Sequence, residues 1–186
     1  MDRSSKLFGL FQRAHSFCRS NYPEEITIVE SRRFPDQNAR SFLLQYVYVV
    51  INSGMKNQVA DKIFAKFYRG LDASAIGHPG KRKAVEQALA EHEKWFINLQ
   101  QADDKLAYLD SLPWIGPITK YHLARNLGLD YAKPDRHMSR LAHTFGYNDN
   151  VQKMCEDISR KAGLRVGTVD VILWRYLSSK DGKTDE

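Results

Sequence analysis

Leu109-Asp110-Ser111-Leu112-Pro113-Trp114-Ile115-Gly116-Pro117-Ile118-Thr119-Lys120 is the most informative stretch of this 186-residue chain. A short helix runs into Leu112-Pro113, an apolar–glycine step turns the chain, and a second helix starts at once. Pro117 suits the first helical position, because its missing N–H would have no intrahelical partner there in any case. The amides that open the second helix then face outward at the positive end of its dipole, which makes them a ready seat for a phosphate. The same residues also fit an ordinary corner between two helices.

Helical periodicity extends in both directions from this turn. It predicts helices over 4–19, 36–52, 56–69, 81–100, 102–112, 118–127, 136–145, 151–162 and 168–177, an all-α chain of roughly nine helices with Gly128, Gly146, Gly163 and Gly167 as stops or turns. Asp36 is the expected cap of the second helix. Asn52-Ser53-Gly54 is a turn signature joining two helices into an antiparallel pair. The β-branched stretch 25–29, bracketed by Pro23 and Pro35, reads as extended. His78-Pro79-Gly80 reads as a chain break, and Lys81-Arg82-Lys83 after it as a solvated helix start. Low complexity is confined to 180–186, which reads as a frayed polar tail.

Composition narrows the class. Apolar residues make up 42% and charged residues 27%, which excludes disorder as the main state. Two cysteines, Cys18 and Cys155, exclude a disulfide framework, a structural zinc finger and a cysteine-held iron–sulfur cluster. No apolar run is long enough for a membrane span and no secretory signal is visible, so the expected compartment is intracellular and reducing. The net charge is +6. From residue 111 to 145 five cations (Lys120, Arg125, Lys133, Arg136, Arg140) face two acids (Asp130, Asp135), a net +3 and half the total excess. Clustered cations are what backbone phosphates require.

A Leu-Pro-x-Ile-Gly hairpin followed by Pro134-Asp135 and the Arg-rich helix Arg136-His137-Met138-Ser139-Arg140 resembles the helix-hairpin-helix superfamily of DNA glycosylases, the group of endonuclease III and the 8-oxoguanine glycosylases. The resemblance leans to the small archaeal and bacterial 8-oxoguanine branch through Arg125-Asn126-Leu127-Gly128 and Asp135-Arg136-His137. It extends over roughly 42–177 through the turn Asn52-Ser53-Gly54-Met55-Lys56 and the closing Val169-Asp170-Val171-Ile172-Leu173-Trp174. It implies two helical lobes with a DNA-binding cleft between them. The lobes would be 32–127, holding the hairpin at 106–127, and 1–31 with 128–180, leaving 181–186 as a tail.

The resemblance also assigns roles. Asp135 would stabilise the oxocarbenium character that develops when an N-glycosidic bond breaks, or activate the attacking water. As a residue type in its place it is equally a helix N-cap, and the two roles are compatible. The Schiff-base lysine of bifunctional relatives falls at Ile118 here. Lys120 lies two residues on, rotated roughly 200° around the helix, and is either a second-choice nucleophile or a phosphate-facing cation. Ile118 and His122 share a face and would line the base pocket, although a buried core histidine fits His122 as well. Trp114 replaces a small residue of the family and Pro117 removes an amide. The phosphate seat would therefore lean on the Gly116 and Thr119 amides, the Thr119 hydroxyl and Lys120, with Trp114, Arg136 and Arg140 as further DNA contacts. Met55, Lys56 and Asn57 stand where a wedge would fill the gap left by a flipped base; the alternative is a plain connecting turn.

The expected activity is that of a monofunctional DNA glycosylase acting as a monomer on double-stranded DNA. The alternatives are a glycosylase/lyase using Lys120 and a non-catalytic DNA-binding protein. No cofactor or metal is called for, beyond a monovalent cation that the hairpin could hold.

Overall fold

The computed structural model describes residues 2–179. The tail expected at 181–186 lies outside these. Among the described residues the chain is all-α, with ten α-helices: α1 (Arg3–Asn21), α2 (Pro23–Ser31), α3 (Ala39–Asn52), α4 (Asn57–Gly70), α5 (Pro79–Gln101), α6 (Lys105–Asp110), α7 (Thr119–Asn126), α8 (Arg136–Thr144), α9 (Val151–Ala162) and α10 (Val166–Leu177). None of these is long and apolar enough to cross a membrane.

The helix beyond the expected nine is α2, which replaces the extended segment read from its β-branched residues. Pro23 stands in its first turn with Glu24 and Glu25, and these acids complement the dipole. Thr27 donates its hydroxyl to the Pro23 carbonyl at 3.0 Å. Arg175 of α10 holds Glu25 by two bonds of 2.7 and 2.8 Å. The β-branched residues each cost only some tenths of a kcal/mol in a helix, and those contacts outweigh that cost.

Local chemistry corrects two further boundaries. Asp36 closes a 3-10 turn (Phe34–Asp36) and does not cap α3. Asn38 is the cap: it accepts the Ser41 N–H at 2.8 Å, and the Ser41 hydroxyl accepts the Asn38 N–H at 2.9 Å, a reciprocal capping box. His78-Pro79-Gly80 begins a helix and does not break one. The His78 Nδ1 accepts from the amides of Gly80 and Lys81, and Pro79 takes the first position of α5.

The chain divides into two compact units. One spans Arg33–Leu127; the other takes the chain up to Arg32 and again from Gly128. In the first, α3 is the central element, buried through Phe42, Leu43, Tyr46, Val47, Val49, Val50 and Ile51 and flanked by α4, α5 and α7. In the second, α10 is the central helix, with Val169, Ile172 and Leu173 against Leu10, Phe11 and Ala14 of α1 and Met154 and Ile158 of α9. Arg165, just ahead of α10, donates to the carbonyls of Val29, Arg32 and Gly128, and so grips the points where the chain leaves this unit and returns.

The Lys81-Arg82-Lys83 run is not a solvated face. Lys81 is buried, and its ammonium donates to the carbonyls of Ile51 at 2.8 Å and Ser53 at 2.6 Å. Those carbonyls end α3, so the cation sits where the helix dipole favours it. Burial nevertheless lowers the Lys81 pKa.

Candidate functional site

The turn between α6 and α7 is held from below. Leu109, Leu112 and Ile115 are buried, and the Tyr46 hydroxyl of α3 donates to the Pro113 carbonyl at 2.6 Å. The turn tightens through Ile115, whose N–H reaches the Leu112 carbonyl at 3.1 Å. Helix α7 begins at Thr119, one residue later than its periodicity suggests, with Ile118 at the cap position. Its first hydrogen bond runs from the Lys120 N–H to the Gly116 carbonyl at 3.0 Å. Pro117 thus precedes the helix, inside its first hydrogen-bonded loop, where an N–H would have no intrahelical acceptor.

The expected phosphate ligands divide accordingly. The Gly116 N–H donates to the Thr119 hydroxyl at 2.8 Å, so both groups are spent on closing the turn. The amides of Ile118 and Thr119 have no acceptor among the described residues. Gly116 has an ordinary φ, and a Cβ built on it would meet nothing within 4 Å. Neither backbone conformation nor packing within the chain requires glycine here.

Trp114 sits at φ +64°, a left-handed conformation that bulky residues rarely adopt. Its indole N–H donates to the Ser53 hydroxyl at 3.0 Å. The His78 ring lies edge-on at 4.9 Å, and Gly80 touches the benzo edge. The ring remains 42% exposed. Ser53, His78, Gly80 and Lys81 are thus part of this corner. These residues lie far from Trp114 in the chain, so no local sequence signal joins them to it.

The other hairpin residues separate. Ile118 is 46% exposed. The Lys120 ammonium pairs with Asp110 at 3.0 Å, half-buried, and lies over the Tyr121 ring. His122 is buried and edge-on to Tyr48. Ile118 and His122 therefore differ sharply in exposure although they lie four residues apart.

The turn 52–57 is compact. Gly54 adopts φ +67°, the Met55 N–H reaches the Asn52 carbonyl at 3.0 Å, and the Asn52 amide donates to the Asn57 side chain at 2.7 Å. Met55 and Asn57 are half-buried and Lys56 is exposed. Asn57 thereby serves the turn itself.

In the other unit, Asp135 is the N-cap of α8. Its Oδ1 accepts from the amides of His137 at 3.0 Å and Met138 at 3.2 Å, while Oδ2 has no partner among the described residues. Met138, Leu141 and Ala142 turn inward, and Arg136 and Arg140, one turn apart, are exposed.

Neither a protein-family model nor a curated protein sequence matches the chain. A solved structure does: the Methanocaldococcus jannaschii 8-oxoguanine glycosylase/lyase, crystallised with a 15mer DNA containing 8-oxoguanine. The likeness covers 91% of this chain and 96% of that one, at a TM-score of 0.67 and 17% identity. The chain therefore shares the all-α fold of that glycosylase/lyase.

Proposed function

We propose that this chain is a DNA glycosylase that flips a damaged or modified base from duplex DNA and hydrolyses its N-glycosidic bond without cutting the strand. The observation that carries this is Asp135. Two amides fix one carboxylate oxygen, the positive end of α8 favours its charge, and the other oxygen is left for an outside partner. Such a group can stabilise a cationic sugar or orient a water. The water oxygen bonds to C1′, the C1′–N bond breaks with its electron pair going to the base, and the water proton passes through Asp135 to solvent or to the departing base. This chemistry needs no cofactor; a monovalent cation at the α6–α7 turn would act on binding alone.

Other residues of the chain support the DNA part of the reading. The Ile118 and Thr119 amides offer donors to a phosphate, Gly116 leaves room for it, and Arg136 and Arg140 offer exposed cations. Hydrolysis is favoured over an imine because the position of the lysine nucleophile carries an exposed hydrocarbon, Ile118, and Lys120 is engaged by Asp110.

The test is a panel of duplexes carrying different lesions, beginning with 8-oxoguanine, resolved with and without alkali and after borohydride reduction. Base release is expected, with strand breakage only after alkali and no trapped protein–DNA band. A trapped band lost in Lys120→Ala would make the protein a glycosylase/lyase. Binding without base release from any duplex would leave a DNA-binding module.

A further inference from the structure

Trp114 is the largest exposed aromatic surface at the α6–α7 turn, and the chain holds it there against its own backbone preference. A side chain at φ +64° persists only when its surroundings over-determine it. Here they do. The preceding carbonyl, that of Pro113, is bound by Tyr46, and the following side chain, Ile115, is buried. The indole N–H is bound by a Ser53 hydroxyl that itself donates to the Val50 carbonyl at 2.8 Å. Ser53 in turn is fixed through its carbonyl by the buried Lys81 ammonium. His78 and Gly80 back the ring. The outcome is a rigid indole, open over 42% of the residue's surface. Its one polar atom already has a partner, so covering the open area with another flat ring would strand no donor.

We propose that the Trp114 indole is a fixed stacking platform for an unstacked nucleobase of the DNA strand whose phosphate the α7 amides receive. This rests on the DNA reading above and adds to it a residue that grips a base through its π-face, whatever the base. Aromatic stacking tolerates sequence because every base has such a face. A rigid ring also loses little side-chain freedom when the base arrives.

The test uses the full chain and two probes: a single-stranded 15-mer of thymidylate, and a 15-bp duplex with a central abasic-site analogue. Trp114→Gly removes the ring and also relieves the positive φ, so the fold should survive; thermal unfolding checks that. It should weaken binding to both probes roughly 5- to 100-fold, the range expected for one stacked base. Trp114→Phe keeps a ring without the N–H, and Ser53→Ala keeps the indole without its acceptor; both should bind close to wild type. DNA should quench tryptophan emission in wild type and in Trp174→Phe, and much less in Trp114→Phe.

Unchanged affinity of Trp114→Gly would overturn the platform. So would equal losses in Ser53→Ala, Trp114→Phe and Trp114→Gly, which would make Trp114 a structural pin. The DNA reading fails separately. If neither probe binds, the DNA reading falls and takes the platform with it. If binding weakens in Gly116→Val but not in Trp114→Gly, the platform alone falls.

Discussion

A Cβ on Gly80 would stand 2.5 Å from Cζ3 of Trp114 and 3.1 Å from its Cη2, so the first turn of α5 and the ring of the α6–α7 turn cannot both keep their places if residue 80 has a side chain. Gly80→Ala gains helix propensity, at most about 1 kcal/mol and less in a first turn. It also overpacks a ring pinned by Ser53, which typically costs about 1–3 kcal/mol. Overpacking wins. We expect a lower midpoint in urea unfolding and a shifted tryptophan emission. Unchanged stability with unchanged emission would show that the contact is slack.

Gly116 is the opposite case. With an ordinary φ and open space at its Cβ, Gly116→Ala should change folding stability by no more than about 0.5 kcal/mol. Gly116→Val should fold as well, yet weaken duplex binding at moderate salt. Losing one charge-assisted amide–phosphate contact is worth about 1.5 kcal/mol or more, roughly tenfold in affinity. Affinity equal to wild type, measured by anisotropy, would remove the turn from the DNA interface.

Asp135 separates capping from chemistry. Asn caps a helix about as well as Asp, so Asp135→Asn should unfold at nearly the wild-type midpoint. It should still bind DNA while base release falls by about 100-fold or more, the usual scale for losing one oriented charge in such a site. Asp135→Ala should lose the cap as well, at about 1 kcal/mol. Base release by the Asn variant at the wild-type rate would make Asp135 a cap alone.

Cys18 sets an alkaline limit. Its thiol donates to the Ile172 carbonyl in the core of the α1–α10 unit. Burial chiefly, with the Glu25 charge second, pushes its pKa up from 9.0 to about 11, against a small opposing effect of Arg175. The folded thiol thus keeps a proton that the unfolded thiol releases. Its contribution is full below about pH 9 and is lost as the pH rises towards 11. Wild type should therefore lose more thermal stability across that window than Cys18→Ala. Parallel melting curves for the two proteins would refute this.

The sequence by itself determined the helical class and most helix boundaries, because those signals are local. Apolar residues recur at helical spacing, and glycines follow helix ends. Asp135 was legible as a cap for the same reason: a carboxylate three residues ahead of the Met138 amide is a short-range relation. The local signals were misread where two of them competed. Ile26 to Val29 favour strand, yet Pro23, the first-turn acids and the Arg175 pairing made a helix. Asp36 competed with Asn38, and the Ser41 hydroxyl decided for Asn38 by completing the box.

Tertiary structure alone decided which polar groups were already spent. Lys81 reads as a solvated cation until α3 arrives 28 to 30 residues away to claim it. Trp114 meets its hydroxyl partner 61 positions earlier in the chain, and its ring rests on a glycine that begins a third helix. A side chain's rotamer and its hydrogen-bond partner are set by what packs against it, and in a helical fold those neighbours come from far along the chain. Periodicity tells which face of a helix turns inward, but not which group waits there.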